Sequence, residues 1–276
     1  MIKNTRTLQV VVVACSVILF VLLFIANKKS VKKSEDTVPK NEAAQQVADI
    51  KVYLDALVSS LPDKDKKEYE ALEKKTTDTT GLNTLIDFLN SKKLAVASCY
   101  YYQKKAEKVN TAKIWYDAGS RYFYSVGFVK DKNQAQSLYQ SAMNCYTKAL
   151  DKKPDYTEAK IQLGSCYVEG SSDPMKGIGM LKEVERMDSA NIQVQMVLGA
   201  FAVKSGQFDK AEARYKKVVR IKPEYLEAYL FLADVYEKEG EKAKTIETLE
   251  RYVELTPDKE IKEQIKKYIS QLKSNV

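Results

Sequence analysis

The chain has 276 residues, with 45 basic and 37 acidic side chains; six of the bases and none of the acids fall in residues 1–33. The remainder is close to neutral, so the basic balance is not a nucleic-acid footprint, which needs a basic face on the folded part. Histidine is absent, which excludes Ser-His-Asp and Cys-His catalysis and His-containing zinc sites.

Residues 1–9 form a short tail carrying Lys3 and Arg6. Residues 10–26 are apolar except for Ser16. As a helix they reach about 26 Å, the short end of a membrane span. A cleaved signal peptide and a lipid-modified Cys15 are the competing readings. No small-residue cleavage site precedes Lys28, and ten apolar residues follow Ser16, so the stretch reads as an uncleaved transmembrane helix. Lys28, Lys29, Lys32 and Lys33 outnumber the bases before the span, which by the positive-inside rule would keep the C-terminal part of the chain in the cytoplasm. A span this near the N-terminus more often exports the chain beyond it. We expect single-pass insertion in a bacterial cytoplasmic membrane with the rest of the chain on the exported side.

Residues 27–42 are polar and read as a flexible tether. Residues 43–111 read as a helical region with a degenerate repeat. Val47, Ile50, Leu54, Leu57, Val58 and Leu61 follow helical spacing, and Pro62 separates this helix from the next. That next helix, Asp63 to Lys75, has little to pack beyond Tyr69, Ala71 and Leu72. Thr76 to Gly81 reads as a loop, followed by a helix pair, Leu82 to Leu89 and Leu94 to Val109. The Tyr100-Tyr101-Tyr102 run places aromatics on most sides of its helix, as for a helix packed between two neighbours. Cys99, Cys145 and Cys166 form no C-x-x-C pair and no even set, so they read as small buried side chains rather than a disulfide framework.

From Ile192 to Lys259 the chain repeats with a period of 34 residues: Leu198 aligns with Leu232, Gly206 with Gly240, Tyr215 with Leu249 and Pro223 with Pro257. Earlier units carry the same landmarks. The first has Trp115, Ala118, Gly119, Tyr122, Ala142, Tyr146, Ala149 and Pro154. The second has Leu163, Gly164, Tyr167, Gly177, Leu181 and Val184. These residues resemble the tetratricopeptide repeat over about half the chain. The resemblance implies an all-α, right-handed solenoid of antiparallel helix pairs, with units at 112–156, 157–191, 192–225 and 226–259. Glycine at 206 and 240 suits a left-handed stop between paired helices. Ile261, Ile265, Tyr268, Ile269 and Leu272 make one stripe of a last helix in 260–276, which reads as the cap a stack needs. Two units depart from the pattern. The second has one extra residue in Gly170–Pro174 and closes on Ser189. The first carries an insert of Val126, Gly127, Phe128 and Lys130-Asp131-Lys132, which predicts that both its helices run long and project beyond the stack as a candidate contact site.

The sequence holds no phosphate-binding glycine loop, nucleophile elbow or metal-ligand spacing. No catalytic residue, cofactor, metal, small-molecule substrate or nucleic acid is expected, and the chain is not read as an enzyme. The resemblance places the first helix of each unit on the inner face. Its side chains there are Tyr116, Ser120 and Phe123; Ile161, Ser165 and Val168; Met196, Ala200 and Val203; and Leu230, Asp234 and Glu237. This row suits a partner peptide or helix with apolar anchors; some of its apolar members would instead pack inside the stack. Relatives that clamp acidic chaperone tails use Lys, Arg and Asn where this chain has Ser120, Ser165, Ala200 and Asp234. The expected role is a membrane-anchored scaffold or adaptor; a subunit of a cell-envelope assembly or secretion complex is the alternative.

Overall fold

Helix follows helix through residues 54–274, the part of the chain that the computed structural model describes, and no strand occurs among the described residues. These residues lie in one unit of the chain, Gln46–Val276. The span expected over 10–26 and the tether expected over 27–42 lie outside them. Among the described residues, no helix is long and apolar enough to cross a membrane.

A helical segment at 54–59 leads into α1 (Asp63–Glu73), which starts after Pro62 with Asp63 and Asp65 in its first turn, where carboxylates face the positive helix end. Tyr69 is its one buried residue. α2 (Thr79–Ser91) begins inside the stretch that reads as a loop. The Asp78 carboxylate accepts the Gly81 amide at 2.8 Å and caps the helix three residues earlier than hydropathy alone suggests. α3 (Ala95–Val109) ends on Asn110, whose φ of 53° is left-handed. Tyr101 is buried, while Tyr100 and Tyr102 are half-buried against the cores on both sides of the helix.

Four helix pairs come next. They are α4 (Ala112–Ser125) with α5 (Lys132–Lys152), α6 (Thr157–Gly170) with α7 (Pro174–Met187), α8 (Ile192–Lys204) with α9 (Phe208–Ile221), and α10 (Leu226–Lys238) with α11 (Lys242–Leu255). Local chemistry sets their starts. Thr111, Asp131, Asp173 and Asn191 accept amide hydrogens at the starts of α4, α5, α7 and α8. Gly206 and Gly240 turn between paired helices with φ of 71° and 74°.

Within each pair a small residue meets a large one. A Cβ added to Gly119 would lie 2.8 Å from the Tyr146 ring, and one on Gly199 would lie 2.5 Å from Tyr215. Tyr146, Leu181 and Tyr215 have no exposed surface. Burial of such side chains stabilises by about 1.5–3 kcal/mol each, which offsets the roughly 1 kcal/mol that a mid-helix glycine costs.

The insert in the first unit behaves differently from its expectation. α4 has 14 residues, like α6, and passes into one 3-10 turn, Val126–Phe128. Only α5 is longer, with 21 residues. Its added turns pack on the next unit: Tyr139 fits where Gly170 has no side chain, and a Cβ there would lie 2.2 Å from the ring. The Tyr139 hydroxyl donates to Glu169 at 2.8 Å. The extra length is therefore a clamp between the first two units.

The last helix, α12 (Lys259–Ser274), closes the fourth core with Ile265, Tyr268, Ile269 and Leu272. Ile261, predicted in the same stripe, is 39% exposed.

Candidate functional site

Each first helix packs on its own second helix and on the unit before it, and first helices also touch one another, α4 with α6 and α6 with α8. Their remaining faces form a row, and the predicted site residues fall along it unevenly.

In the first unit Tyr116, Ser120 and Phe123 are half-buried and knitted together. Tyr116 lies 5.7 Å from Tyr146 and 5.1 Å from Tyr156, ring centre to ring centre. Phe123 meets Tyr139 edge-on at 5.9 Å. Ser120 accepts the Tyr146 hydroxyl at 3.2 Å and donates to the Tyr116 carbonyl at 3.0 Å. Beside these side chains lies a cleft of 520 Å³ between α3 and α4, lined by Tyr102, Ser120, Arg121, Tyr124 and Phe128 among others. The Arg121 guanidinium lies 4.0 Å from the Tyr102 ring centre, a cation–π contact. Tyr124 and Phe128 are 67% and 74% exposed.

The second unit departs from the expected row. Ile161 is fully buried with Leu181, Val184, Val194 and Leu198, because α8 of the following unit packs over it. Ser165 is buried too, and its hydroxyl is satisfied by the Ile161 carbonyl at 3.0 Å. Neither faces an open groove, which leaves Val168, half-buried, to this unit.

In the third and fourth units the row opens. Ala200, Leu230 and Glu237 are exposed, and Met196, Val203 and Asp234 are half-buried. Asp234 pairs with Lys238 one turn on, and Glu237 accepts the Tyr268 hydroxyl of α12 at 2.6 Å. Phe231, absent from the predicted row, belongs here. It is 43% exposed and stacks on Tyr215 with ring centres 5.5 Å apart. The signal was the run Leu230-Phe231-Leu232, since three successive large apolar residues cannot all face one side of a helix.

Among the described residues, the thiols offer no reactive centre. Burial pushes Cys99 up to about 11 and Cys145 and Cys166 further up, so none is a thiolate at neutral pH. Among the described residues, no group of His, Cys, Asp and Glu is placed to hold a metal ion.

The described residues form an all-α stack of helix pairs, a fold like that of tetratricopeptide repeats. Residues 202–265, within the third and fourth units and the cap, match the tetratricopeptide repeat family. The fold is shared with a tetratricopeptide repeat protein from Parabacteroides merdae, 15% identical, with a TM-score of 0.53 over 83% of this chain and 88% of that one. Two further solved structures are similar at lower scores. One is MamA, 21% identical, TM-score 0.45, covering 64% of this chain and 91% of that one. The other is YrrB, described as a TPR protein with an unusual peptide-binding site, 19% identical, TM-score 0.42, covering 72% of this chain and 96% of that one. No curated protein matches the chain.

Proposed function

We propose that this chain is a membrane-anchored interaction scaffold that holds a peptide or helix of a partner protein along the first helices of its repeats. The carrying observation is the open row of the third and fourth units, where Leu230 and Phe231 of α10 are exposed and Met196 and Val203 of α8 are half-buried. A monomer gains nothing by leaving adjoining large apolar side chains in water, and such patches mark binding surfaces. In this reading residues 10–26 insert in the membrane, residues 27–42 act as the tether, and the repeats work on the exported side.

Crosslinking and pull-down of the full chain from membranes test the scaffold. A partner recovered with the wild type is lost with Met196→Glu and Leu230→Glu, two changes at the groove surface. Equal recovery by both variants would place the contact elsewhere. Alkaline extraction tests the anchor: release of the chain into the supernatant rejects insertion. Protection of the C-terminus from protease added to spheroplasts, whose cytoplasmic membrane is intact and outer barrier opened, rejects the exported side.

A further inference from the structure

The groove row changes character along its length. In the first unit Ser120 accepts the Tyr146 hydroxyl. In the third, Tyr215 takes the place of Tyr146, and the residue in the register of Ser120 is Ala200, which offers no acceptor. Tyr215 is fully buried, and its hydroxyl has no hydrogen-bond partner. Buried polar groups are nearly always paired, so an orphan needs a reason. The ring lies against Gly199 of α8, where an added Cβ would come within 2.8 Å of Cζ, and stacks under Phe231 of α10. Its hydroxyl end thus sits between α8 and α10, at the floor of the row. Burial, with the charge of Asp234, pushes it up to about 12, so it is a donor at any ordinary pH.

The surroundings carry a charge bias. Along the row α10 presents Glu227, Asp234 and Glu237. The bases on α8 and α10 are Lys204 and Lys238, and Lys238 is already paired with Asp234. Between the charges lie Met196, Leu230 and Phe231.

We propose that the row over α8 and α10 binds a segment of a partner protein in which a lysine or arginine is flanked by aliphatic side chains. This rests on the groove reading above and adds the chemistry of the occupant. The cation replaces Lys238 at Asp234. The aliphatic neighbours cover Leu230, Phe231 and Met196. Phe231, which stacks over the Tyr215 ring, swings aside as the segment seats, and a peptide carbonyl then gives Tyr215 the acceptor that Ser120 gives Tyr146. The same carboxylates repel an acidic tail.

The test is selection from a random-peptide display library on the full-length chain in detergent. Enriched peptides carry Lys or Arg between aliphatic residues, and their affinity falls about tenfold on Asp234→Lys. Tyr215→Phe weakens them by about threefold to tenfold while the melting temperature does not drop, a split that a merely structural hydroxyl would not give. Enriched peptides that are acidic or neutral and indifferent to Asp234→Lys overturn this inference and leave the groove standing. If no enriched peptide is lost on Leu230→Glu, the groove reading itself falls. Displacement of every enriched peptide by a synthetic peptide of residues 27–40 would reassign the site to the chain's own lysine-rich stretch and overturn the partner inference.

Discussion

Arg214 of α9 donates to the Glu185 carboxylate of α7 at 2.8 Å and so ties the third repeat unit to the second. The same Nη1 donates to Gln195 Oε1 at 2.8 Å, and Gln195, only 1% exposed, donates in turn to Glu185 at 2.9 Å and to the Ser189 carbonyl at 3.1 Å. Removing the guanidinium leaves a buried amide and a carboxylate short of partners, so Arg214→Ala should cost about 1–3 kcal/mol. Urea melts at neutral pH measure this, and a variant as stable as the wild type would show the network to be idle.

The network also sets a pH dependence. The Arg214 hydrogen bond, with help from Gln195, holds Glu185 below the usual carboxylate range. A lowered folded value means that the contribution is fully present above the unfolded value of about 4.3 and is lost as pH falls through the folded one. The stability gap between wild type and Glu185→Gln should therefore be constant near neutrality and shrink below about pH 4.3. Paired melts across the acid range check it; a gap that widens toward acid contradicts the assignment.

Two glycines of similar helical setting should respond in opposite directions. A Cβ at Gly199 meets the Tyr215 ring at 2.5 Å, whereas Gly179 of α7 has nothing within 4 Å. Gly199→Ala should destabilise by about 1–3 kcal/mol through overpacking. Gly179→Ala should stabilise by up to about 1 kcal/mol through helix propensity. Thermal melts of the two variants would have to move apart.

The hydroxyls of Tyr146 and Tyr215 separate in the same way. Tyr146→Phe gives up the bond to Ser120 and should cost about 0.5–1.5 kcal/mol. Tyr215→Phe removes an unpaired buried hydroxyl and should cost nothing in the free protein. Equal losses would mean that Tyr215 has a partner after all.

The thiols give a probe of integrity. Cys99, Cys145 and Cys166 are buried and raised above the ordinary thiol range. In the native chain they should resist iodoacetamide at neutral pH, and in denaturant they should all react. Mass spectrometry of the labelled peptides reads both states; fast native labelling of Cys145 would contradict the packing of α5.

The repeat architecture was legible because a few landmarks carry it. Gly199, Ala211 and Tyr215 announce a close helix pair by size alone, and Gly206 announces its turn. What sequence spacing could not show was how neighbouring units close over each other. Ile161 and Ser165 occupy the register of groove residues, yet α8 covers the first and the second bonds to its own helix. The first unit's extra length reads as a projection because the receptor of Tyr139, Gly170, lies 31 positions on, in a stretch where the sequence shows only a one-residue extension. Both misses concern contacts between units, which depend on how one pair is rotated on the next.

That rotation is what the Glu185 seam governs. Aliphatic side chains in contact can slide by an ångström at little cost, but a guanidinium, a carboxylate and an amide bond only when aimed. The junction between the second and third units therefore has a set screw that a purely oily joint would lack. It fixes the angular step at which the open row over α8 and α10 follows the aromatic row of α4, and with it the pitch that any ligand spanning both must match.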